Sequence, residues 1–268
     1  IPVLDPATPQ EAYELTKLAF ELSHEFEIPV ILRTTTRVSH SCGDVEVEAA
    51  EPAPVEAIEE GFVKDRRWTI FPKLTAERHP WLESVQEKLS EHFSELNFNY
   101  VLGSGKIGII ASGVSALYVK EAVKTVRDFE DLFTLFRVGT VYPFPEKAVL
   151  SFLKGIDQLI VAEELDPYLE EQVLQLIGKF HLPVDVYGKK NGFFPVSGEY
   201  NVDIVTDSIN RALVTCGESF RLSHASPAVS KEKLPPLPIR APTLCAGCMH
   251  RTVFYAFKQA AKQLKREA

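Results

Sequence analysis

The sequence has 268 residues, of which 45% are hydrophobic and 25% are charged, and its formal net charge is −8. This length is enough for about two domains, and the composition is ordinary for a globular protein. The acidic balance argues against nucleic acid or an anionic membrane surface as the main partner. No apolar run in the sequence approaches the length of a membrane span. We therefore expect neither nucleic acid nor a membrane among the partners.

The cysteines and the chain ends indicate the setting of the protein. Four cysteines, Cys42, Cys216, Cys245 and Cys248, are too few in a chain of this length for a disulfide framework. A reducing cytoplasm is therefore the expected compartment. The first residue is Ile1, and the sequence ends one helix after a new unit begins. We expect the chain to be the interior part of a longer polypeptide.

The first 43 residues predict the end of an α/β domain. Residues 8–11 form a capping-box signal with proline at the first helical position. The apolar face of the helix that follows consists of Ala12, Leu15, Leu18, Ala19 and Leu22. Residues 28–32 are a short apolar run, which predicts a buried parallel strand. A helix that leads into a strand is typical of the last part of a doubly wound domain.

Polar residues follow this strand directly and form the first candidate site. They include Arg33, Arg37, His40 and Ser41. Ligands of open α/β sheets gather at the carboxyl ends of strands, and arginines there can hold a carboxylate or a phosphate. The alternative is that the arginines pair with acids at a domain boundary while the hydroxyls bond to the loop backbone.

Residues 44–96 are predicted to be a linker and a bracing helix. Residues 44–57 are acidic and contain prolines, which favours a linker, and residues 63–72 favour a short extended segment. A helix is predicted to start at His79 and Pro80. Its buried positions are expected to be Trp81, Val85, Leu89 and either Phe93 or Leu96.

Residues 97–216 predict a second α/β domain. Strands expected at 106–111, 132–138, 158–163 and 183–187 alternate with helices at 116–126, 146–153, 169–180 and 203–214. A rigid proline-bearing crossing is expected at 141–145. The first of these helices should turn Leu117, Val119, Ala122 and Val123 inward. This alternation predicts a parallel sheet flanked by helices on both faces.

Two weaker signals lie within this domain. The glycine turns at 103–105 and 112–115 have neither the lysine of a P-loop nor a full dinucleotide fingerprint, so tight turns are favoured over a nucleotide site. Glu163 and Glu164 end a predicted strand. Paired carboxylates can perform acid–base chemistry, but acidic residues are also common where a helix begins. A structural role is therefore favoured for this pair.

The last candidate site follows a proline-rich linker at residues 217–241. Cys245 and Cys248 stand immediately before a predicted helix, where thiolates are stabilised and backbone N–H groups can hold an anion. The apolar face of that helix consists of Val253, Phe254, Phe257, Ala260, Ala261 and Leu264. Alternatively, the two cysteines form a tight turn in which Gly247 lets the backbone approach a cofactor. A zinc site would need a second pair of ligands.

Five segments in order carry a resemblance that covers essentially the whole chain. They are residues 20–24, 29–41, 141–145, 163–170 and 244–251. The set resembles the large (alpha) subunit of indolepyruvate:ferredoxin oxidoreductases, a branch of the thiamine-diphosphate-dependent 2-oxoacid:ferredoxin oxidoreductases. Residues 29–41 and the LCAGCMHR segment are the specific parts. Met249 departs from the family pattern, which usually has proline there.

The resemblance implies a fold, a reaction and partners. Residues 97–216 would be a transketolase C-terminal-like domain, between the end of a pyrimidine-binding domain at 1–43 and the start of a diphosphate-binding domain at 242–268. The reaction would convert an aryl 2-oxoacid such as indolepyruvate to its acyl-coenzyme A, with electrons passed to ferredoxin. Thiamine diphosphate, Mg and iron–sulfur clusters would be the cofactors. A beta subunit, ferredoxin and coenzyme A would be the partners.

The resemblance also implies roles for particular residues. Arg33, Arg37, His40 and Ser41 would lie next to the substrate or a cofactor; Gly247, His250 and Arg251 would contact a cofactor; Cys245 and Cys248 would bind metal. In related enzymes a Cys-x-Gly-Cys at this place gives two ligands to a cluster, which needs about four. The glutamate that activates thiamine is expected upstream and the magnesium motif downstream. This segment alone is therefore expected to be inactive, and a non-catalytic subunit-assembly module is the alternative.

Overall fold

The computed structural model describes residues 1–47, 65, 71–224, 238 and 243–266. The chain divides into two compact units, Ile1–Ser226 and Pro227–Ala268. The described elements are, in chain order, β1 Val3–Leu4, α1 Pro9–Phe26, β2 Ile31–Leu32, α2 Thr36–His40, α3 Pro72–Phe93, β3 Tyr100–Gly103, β4 Ile107–Ser112, α4 Gly113–Val123, α5 Phe129–Leu132, β5 Phe133–Val138, β6 Thr140–Tyr142, α6 Glu146–Leu153, β7 Gln158–Ala162, α7 Tyr168–Phe180, β8 Asp185–Tyr187, α8 Val202–Thr215 and α9 Met249–Gln263.

A five-stranded sheet with strand order β3-β5-β4-β7-β8 forms the centre of the first unit. Strands β5, β4, β7 and β8 are parallel, as predicted, and β3 adds an antiparallel edge next to β5. Helices α4 and α8 cover one face and α6 and α7 cover the other. The α/β class with helices on both faces is therefore confirmed. The edge strand β3 was not predicted, because it is short and only partly buried.

One predicted core position of α4 is wrong. Val119, Ala122 and Val123 are buried, whereas Leu117 is 38% exposed. Ala116 is buried instead. Positions 116, 119 and 123 recur at steps of three and four residues and share one helical face, from which position 117 is rotated by about 100°.

A smaller, three-stranded sheet has the strand order β2-β1-β6. Strands β1 and β2 are parallel, and β6 is antiparallel to β1. The strand predicted at 28–32 is found only at Ile31–Leu32, and it is not buried as expected, because β2 is an edge strand and Ile31 is 47% exposed. Strand β6 arises partly from the segment that was predicted to be a rigid crossing.

Two long helices enclose the core beside this small sheet. Helix α1 begins as predicted, with the Thr8 hydroxyl accepting a hydrogen bond from the Glu11 N–H at 3.1 Å. Leu15 and Leu22 of α1 belong to the same buried cluster as Val85, Leu89 and Phe93 of α3. Helix α3 begins at Pro72 rather than near residue 79, and Pro80 lies inside it. Pro72 takes the first-turn position that the prediction had assigned to Pro80.

Several predictions fall on residues outside the described ranges. These are most of the acidic linker at 44–57, most of the extended segment at 63–72, and residues 225–237 and 239–241 of the proline-rich linker. Among the described residues, no helix combines the length and apolar character needed to cross a bilayer.

Helix α9 of the second unit confirms the helix predicted after Cys248 but not its buried face. The exposed fractions are 62% for Val253, 56% for Phe254, 68% for Phe257 and 72% for Leu264. No residue of α9 is buried. The amphipathic pattern was correct, but the described residues of this unit contain no second element against which the face can pack.

A buried arginine joins the two sheets of the first unit. The Arg137 guanidinium, at the end of β5, donates hydrogen bonds to the carbonyl oxygens of Asp5 at 2.9 Å and Phe98 at 3.1 Å and to the Glu11 carboxylate. Arg33 Nη1 lies 3.2 Å from both carboxylate oxygens of Asp5. Two arginines and two acids therefore tie β1, β2 and α1 to the central sheet.

Replacing Arg137 tests this network. Arg137→Met should lower the free energy of unfolding by about 3–5 kcal/mol, because it leaves the Glu11 carboxylate and the carbonyl groups of Asp5 and Phe98 without their partner. Urea denaturation followed by circular dichroism measures the loss. As a control, Lys147→Met removes an exposed ion pair with Glu91 and should cost less than about 1 kcal/mol. Equal effects of the two substitutions would contradict the role given to Arg137.

Candidate functional site

A cavity of about 380 Å³ lies where the carboxyl ends of β4 and β7 meet the small sheet. This is the edge at which open α/β sheets bind ligands. Its lining includes both aromatic and acidic side chains. Those used below are Asp5, Arg33, Tyr142, Glu163, Glu164, Asp166 and Tyr168.

Glu163 stands at the end of β7 with its side chain turned to the first turn of α7. Its carboxylate oxygens accept hydrogen bonds from the N–H groups of Leu169 at 2.7 Å and Glu170 at 3.0 Å. Burial raises the pKa of Glu163 to about 7, although these two hydrogen bonds oppose the shift. The contacts are those of a residue that holds the start of α7 against the sheet.

Asp5 is buried beside the cavity, between Arg33 on one side and the start of α4 on the other. Arg33 binds both of its carboxylate oxygens, and burial raises the pKa of Asp5 while Arg33 opposes that rise. Gly113, at the start of α4, has a φ of +48°, and a Cβ atom there would lie 2.9 Å from each Asp5 carboxylate oxygen. Only glycine therefore allows α4 to begin this close to the carboxylate.

The four polar residues predicted to form one site after β2 are divided between two recesses. Arg33 lines the cavity, whereas Arg37, His40 and Ser41 line a separate recess together with Glu199. The short helix α2 causes the division, because it turns the chain between residues 36 and 40. The structure therefore does not bring these four side chains together.

Both arginines of this segment already have acidic partners. Arg33 pairs with Asp5, and Arg37 Nη2 lies 2.8 Å from the Glu199 carboxylate. The Ser41 hydroxyl donates to the Val38 carbonyl oxygen at 2.8 Å. These are the contacts of the structural alternative, in which arginines pair with acids and hydroxyls bond to the local backbone.

The cysteine loop of the second unit forms one tight turn before α9. The Cys248 N–H donates to the Cys245 carbonyl oxygen at 3.2 Å, and Gly247 has a φ of +77°. Cys248 Sγ lies 3.4 Å from His250 Nδ1. Cys245 is exposed and Cys248 is partly exposed. The loop therefore presents both sulfur atoms and an imidazole at the beginning of a helix.

Arg251 is bound to the backbone at the start of the cysteine loop. Its guanidinium donates to the Leu244 carbonyl oxygen at 3.0 Å and so closes the loop. Of the predicted cofactor contacts, the structure thus places His250 beside a cysteine sulfur and gives Arg251 a backbone partner.

The described residues do not complete a metal centre. They contain no group of three or more His, Cys, Asp or Glu side chains arranged to hold a metal ion. An iron–sulfur cluster needs about four thiolates, and the loop supplies Cys245 and Cys248. Of the other cysteines, Cys42 is exposed and Cys216 is partly buried. Cys245 and Cys248 alone are therefore too few to hold the iron–sulfur cluster that the family resemblance implies.

The cavity does not suit the diphosphate of thiamine diphosphate. Of its described lining residues, Asp5, Glu163, Glu164 and Asp166 are acids and Arg33 is the cation, already bound to Asp5. Anionic phosphates would meet unfavourable charge there. Sequence reasoning missed this cavity because Asp5, Tyr142 and Asp166 lie far apart in the chain. The one usable signal was that several predicted strands end at the same edge.

The raised pKa of Glu163 predicts a pH dependence of stability. The pKa of its carboxyl rises from an ordinary value of 4.5 to about 7 in the folded chain. The folded chain therefore keeps a proton that the unfolded chain has lost, and the stability contribution is fully present below 4.5 and lost as pH rises through 7. Glu163→Gln is neutral at every pH and should remove this loss.

The measurement is the melting temperature of both proteins at several pH values between 4.5 and 8. The melting temperature of Glu163→Gln minus that of the parent protein should increase by about 2–4 °C or more between the lowest and the highest pH. Glu146→Gln, which changes an exposed carboxylate of α6, is the matched control and should show no such gain. Parallel curves for Glu163→Gln and the parent would contradict the assignment.

Comparison with known proteins identifies relatives of this chain in both sequence and structure. An indolepyruvate oxidoreductase domain matches residues 101–232. In the structural comparison, a 2-oxoglutarate:ferredoxin oxidoreductase from Magnetococcus marinus, solved with 2-oxoglutarate, coenzyme A and succinyl-CoA bound, has 13% identity and a TM-score of 0.50. That similarity covers 78% of this chain and 42% of that chain and supports the fold alone.

Curated relatives extend the match over nearly the whole sequence. The indolepyruvate oxidoreductase subunit IorA of Methanothermobacter thermautotrophicus is 37% identical across 99% of this chain and 41% of its own length. The IorA of Pyrococcus horikoshii is 34% identical across 97% of this chain and 40% of its own length. The chain thus spans about two fifths of the relatives that it matches. It belongs to the family of indolepyruvate oxidoreductase IorA subunits.

Proposed function

We propose that the chain is part of an oxidoreductase that oxidatively decarboxylates aryl 2-oxoacids, indolepyruvate in particular, to acyl-coenzyme A and passes the electrons to ferredoxin. The observation that carries the proposal is the 37% identity to an indolepyruvate oxidoreductase subunit over 99% of the chain. Coenzyme A enters the proposal because the structurally similar 2-oxoglutarate enzyme binds it. A beta subunit and ferredoxin enter it as the partners that such a reaction needs, in a reducing cytoplasm.

The cofactors of the proposed enzyme are thiamine diphosphate, Mg and iron–sulfur clusters. Thiamine diphosphate supplies carbanion-stabilising chemistry when bound, while the protein supplies position and electrostatics. Since the described residues complete neither a cluster nor a diphosphate site, we propose that most ligands come from other parts of the enzyme. Residues 1–43 would end the pyrimidine-binding domain, with 44–96 as linker and bracing helix. Residues 97–216 would be a transketolase C-terminal-like domain, followed by the linker 217–241 and, from residue 242, the diphosphate-binding domain.

Within that enzyme, the turn before α9 has the properties of a contact point for a cofactor. Cys245 and Cys248 are accessible, and Gly247 has the left-handed backbone that lets other atoms approach closely. His250 beside Cys248 adds a proton donor or acceptor. We propose Cys245 and Cys248 as two ligands of a cluster, and Gly247, His250 and Arg251 as cofactor contacts. Arg33, Arg37, His40 and Ser41 would lie near substrate or cofactor.

A specific observation also favours the second candidate function, a non-catalytic module for subunit assembly. Helix α9 exposes Val253, Phe254 and Phe257, and its C-cap residue Leu264 is exposed as well. A contiguous exposed apolar face is typical of an interaction surface. The two functions make different predictions for the cysteines, because an assembly module does not need their sulfur atoms.

The deciding experiment uses the full-length chain with its partner subunit. It should reduce ferredoxin in a reaction that requires both indolepyruvate and coenzyme A, with 2-oxoglutarate as the weaker substrate. Cys248→Ser should lower this activity by about tenfold or more and reduce the iron content, as removal of a metal contact does. If the Cys248→Ser variant still purifies as an intact assembly, the loss of activity comes from the missing thiolate and not from failed assembly.

Cys42→Ser provides the matched control, because Cys42 is also exposed. It should leave both activity and iron content unchanged. If Cys248→Ser retains full activity and iron, the ligand assignment is wrong. If neither indolepyruvate nor any other aryl 2-oxoacid supports reduction of ferredoxin by an intact assembly, the assembly module is the better description.

A further inference from the structure

The cavity at the ends of β4 and β7 has a lining that does not match the substrate of the proposed reaction. Its wall is apolar and aromatic and includes Val114, Val141, Tyr142 and Tyr168. Tyr142 is 40% exposed. A concave site with an aromatic wall and a few polar groups is the usual form of a small-molecule site.

The charge at the rim of this cavity is negative. Glu164 accepts a hydrogen bond from the Tyr200 N–H at 2.7 Å through one oxygen. Asp166 is exposed, and within the described parts of the chain its carboxylate forms no hydrogen bond or ion pair. Arg33 is the cation at this cavity, and it is already held by Asp5. Among the described lining residues, the rim therefore offers free acceptors and no free cation.

We propose that this cavity binds an aromatic ring that carries a cationic amine, with the ring against the apolar wall and the ammonium group at Asp166 and Glu164. A ring of that kind buries apolar surface against the valines and tyrosines. The tyrosine faces also attract a cation. A carboxylate in place of the amine would meet like charge and be rejected.

This ligand class differs from the substrates and cofactors of the proposed reaction. A 2-oxoacid and thiamine diphosphate are both anions, and the cavity has the opposite preference. The proposed binding site is argued from the cavity, its aromatic wall and the charges at its rim. It does not depend on whether the enzyme acts on indolepyruvate.

Two indoles of opposite charge test the proposal on the unmodified full-length protein with its partner subunit. Tryptamine should bind saturably at one site per chain in calorimetry, and indole-3-acetate should bind at least about tenfold more weakly. Asp166→Asn and Tyr142→Ala should each weaken tryptamine binding by about fivefold. Both side chains are exposed enough for the variants to fold.

The control variant is Asp185→Asn, which changes an exposed acid at the start of β8, the opposite end of the sheet. It should leave tryptamine binding unchanged. Equal binding of the two indoles would overturn the proposal, as would an unchanged affinity in both cavity variants. Displacement of tryptamine by thiamine diphosphate would also overturn it, because the cavity would then belong to the cofactor.

Discussion

The first unit depends on the buried Arg137 guanidinium. It lies near the end of a central strand and donates to the carbonyl oxygen of Asp5, which directly follows β1, and to the carboxylate of Glu11 in α1. A buried cation of this kind is tolerated only when its hydrogen bonds are supplied by rigid neighbours. The small sheet and α1 are therefore fixed against the central sheet by polar contacts as well as by the apolar cluster of α1 and α3. The cavity exists because these two sheets meet in one arrangement.

The lining of the cavity follows from that arrangement. Strands β4 and β7 end beside β1, so their polar termini face Asp5 and Arg33 across a short gap. Glu163 and Glu164 share the end of one strand, yet Glu163 bonds to the start of α7 and Glu164 to the backbone of Tyr200. Both carboxylate oxygens of Glu163 are therefore used to hold the fold, whereas Glu164 uses one oxygen and keeps the other accessible to a ligand.

The sequence was informative where local pattern and tertiary structure agree. Four strands of the central sheet and the helices around them follow from buried apolar runs and capping signals, since both are local properties. Strand β3, the edge strand β2 and the start of α3 were missed or misplaced, because edges and proline tolerance depend on neighbours distant in the chain. The candidate site after β2 was predicted as one cluster, but α2 divides it. The pairing of Arg37 with Glu199 joins residues 162 positions apart, a separation that no local pattern reveals.

The consecutive residues Glu199 and Tyr200 connect the two recesses. Glu199 holds Arg37 in one recess, and the Tyr200 N–H holds Glu164 at the rim of the other. Because one peptide bond joins them, the anchor of α2 and the backbone donor to Glu164 lie on the same short stretch of chain. The two recesses therefore depend on the same loop for the position of an acidic side chain that lines each of them.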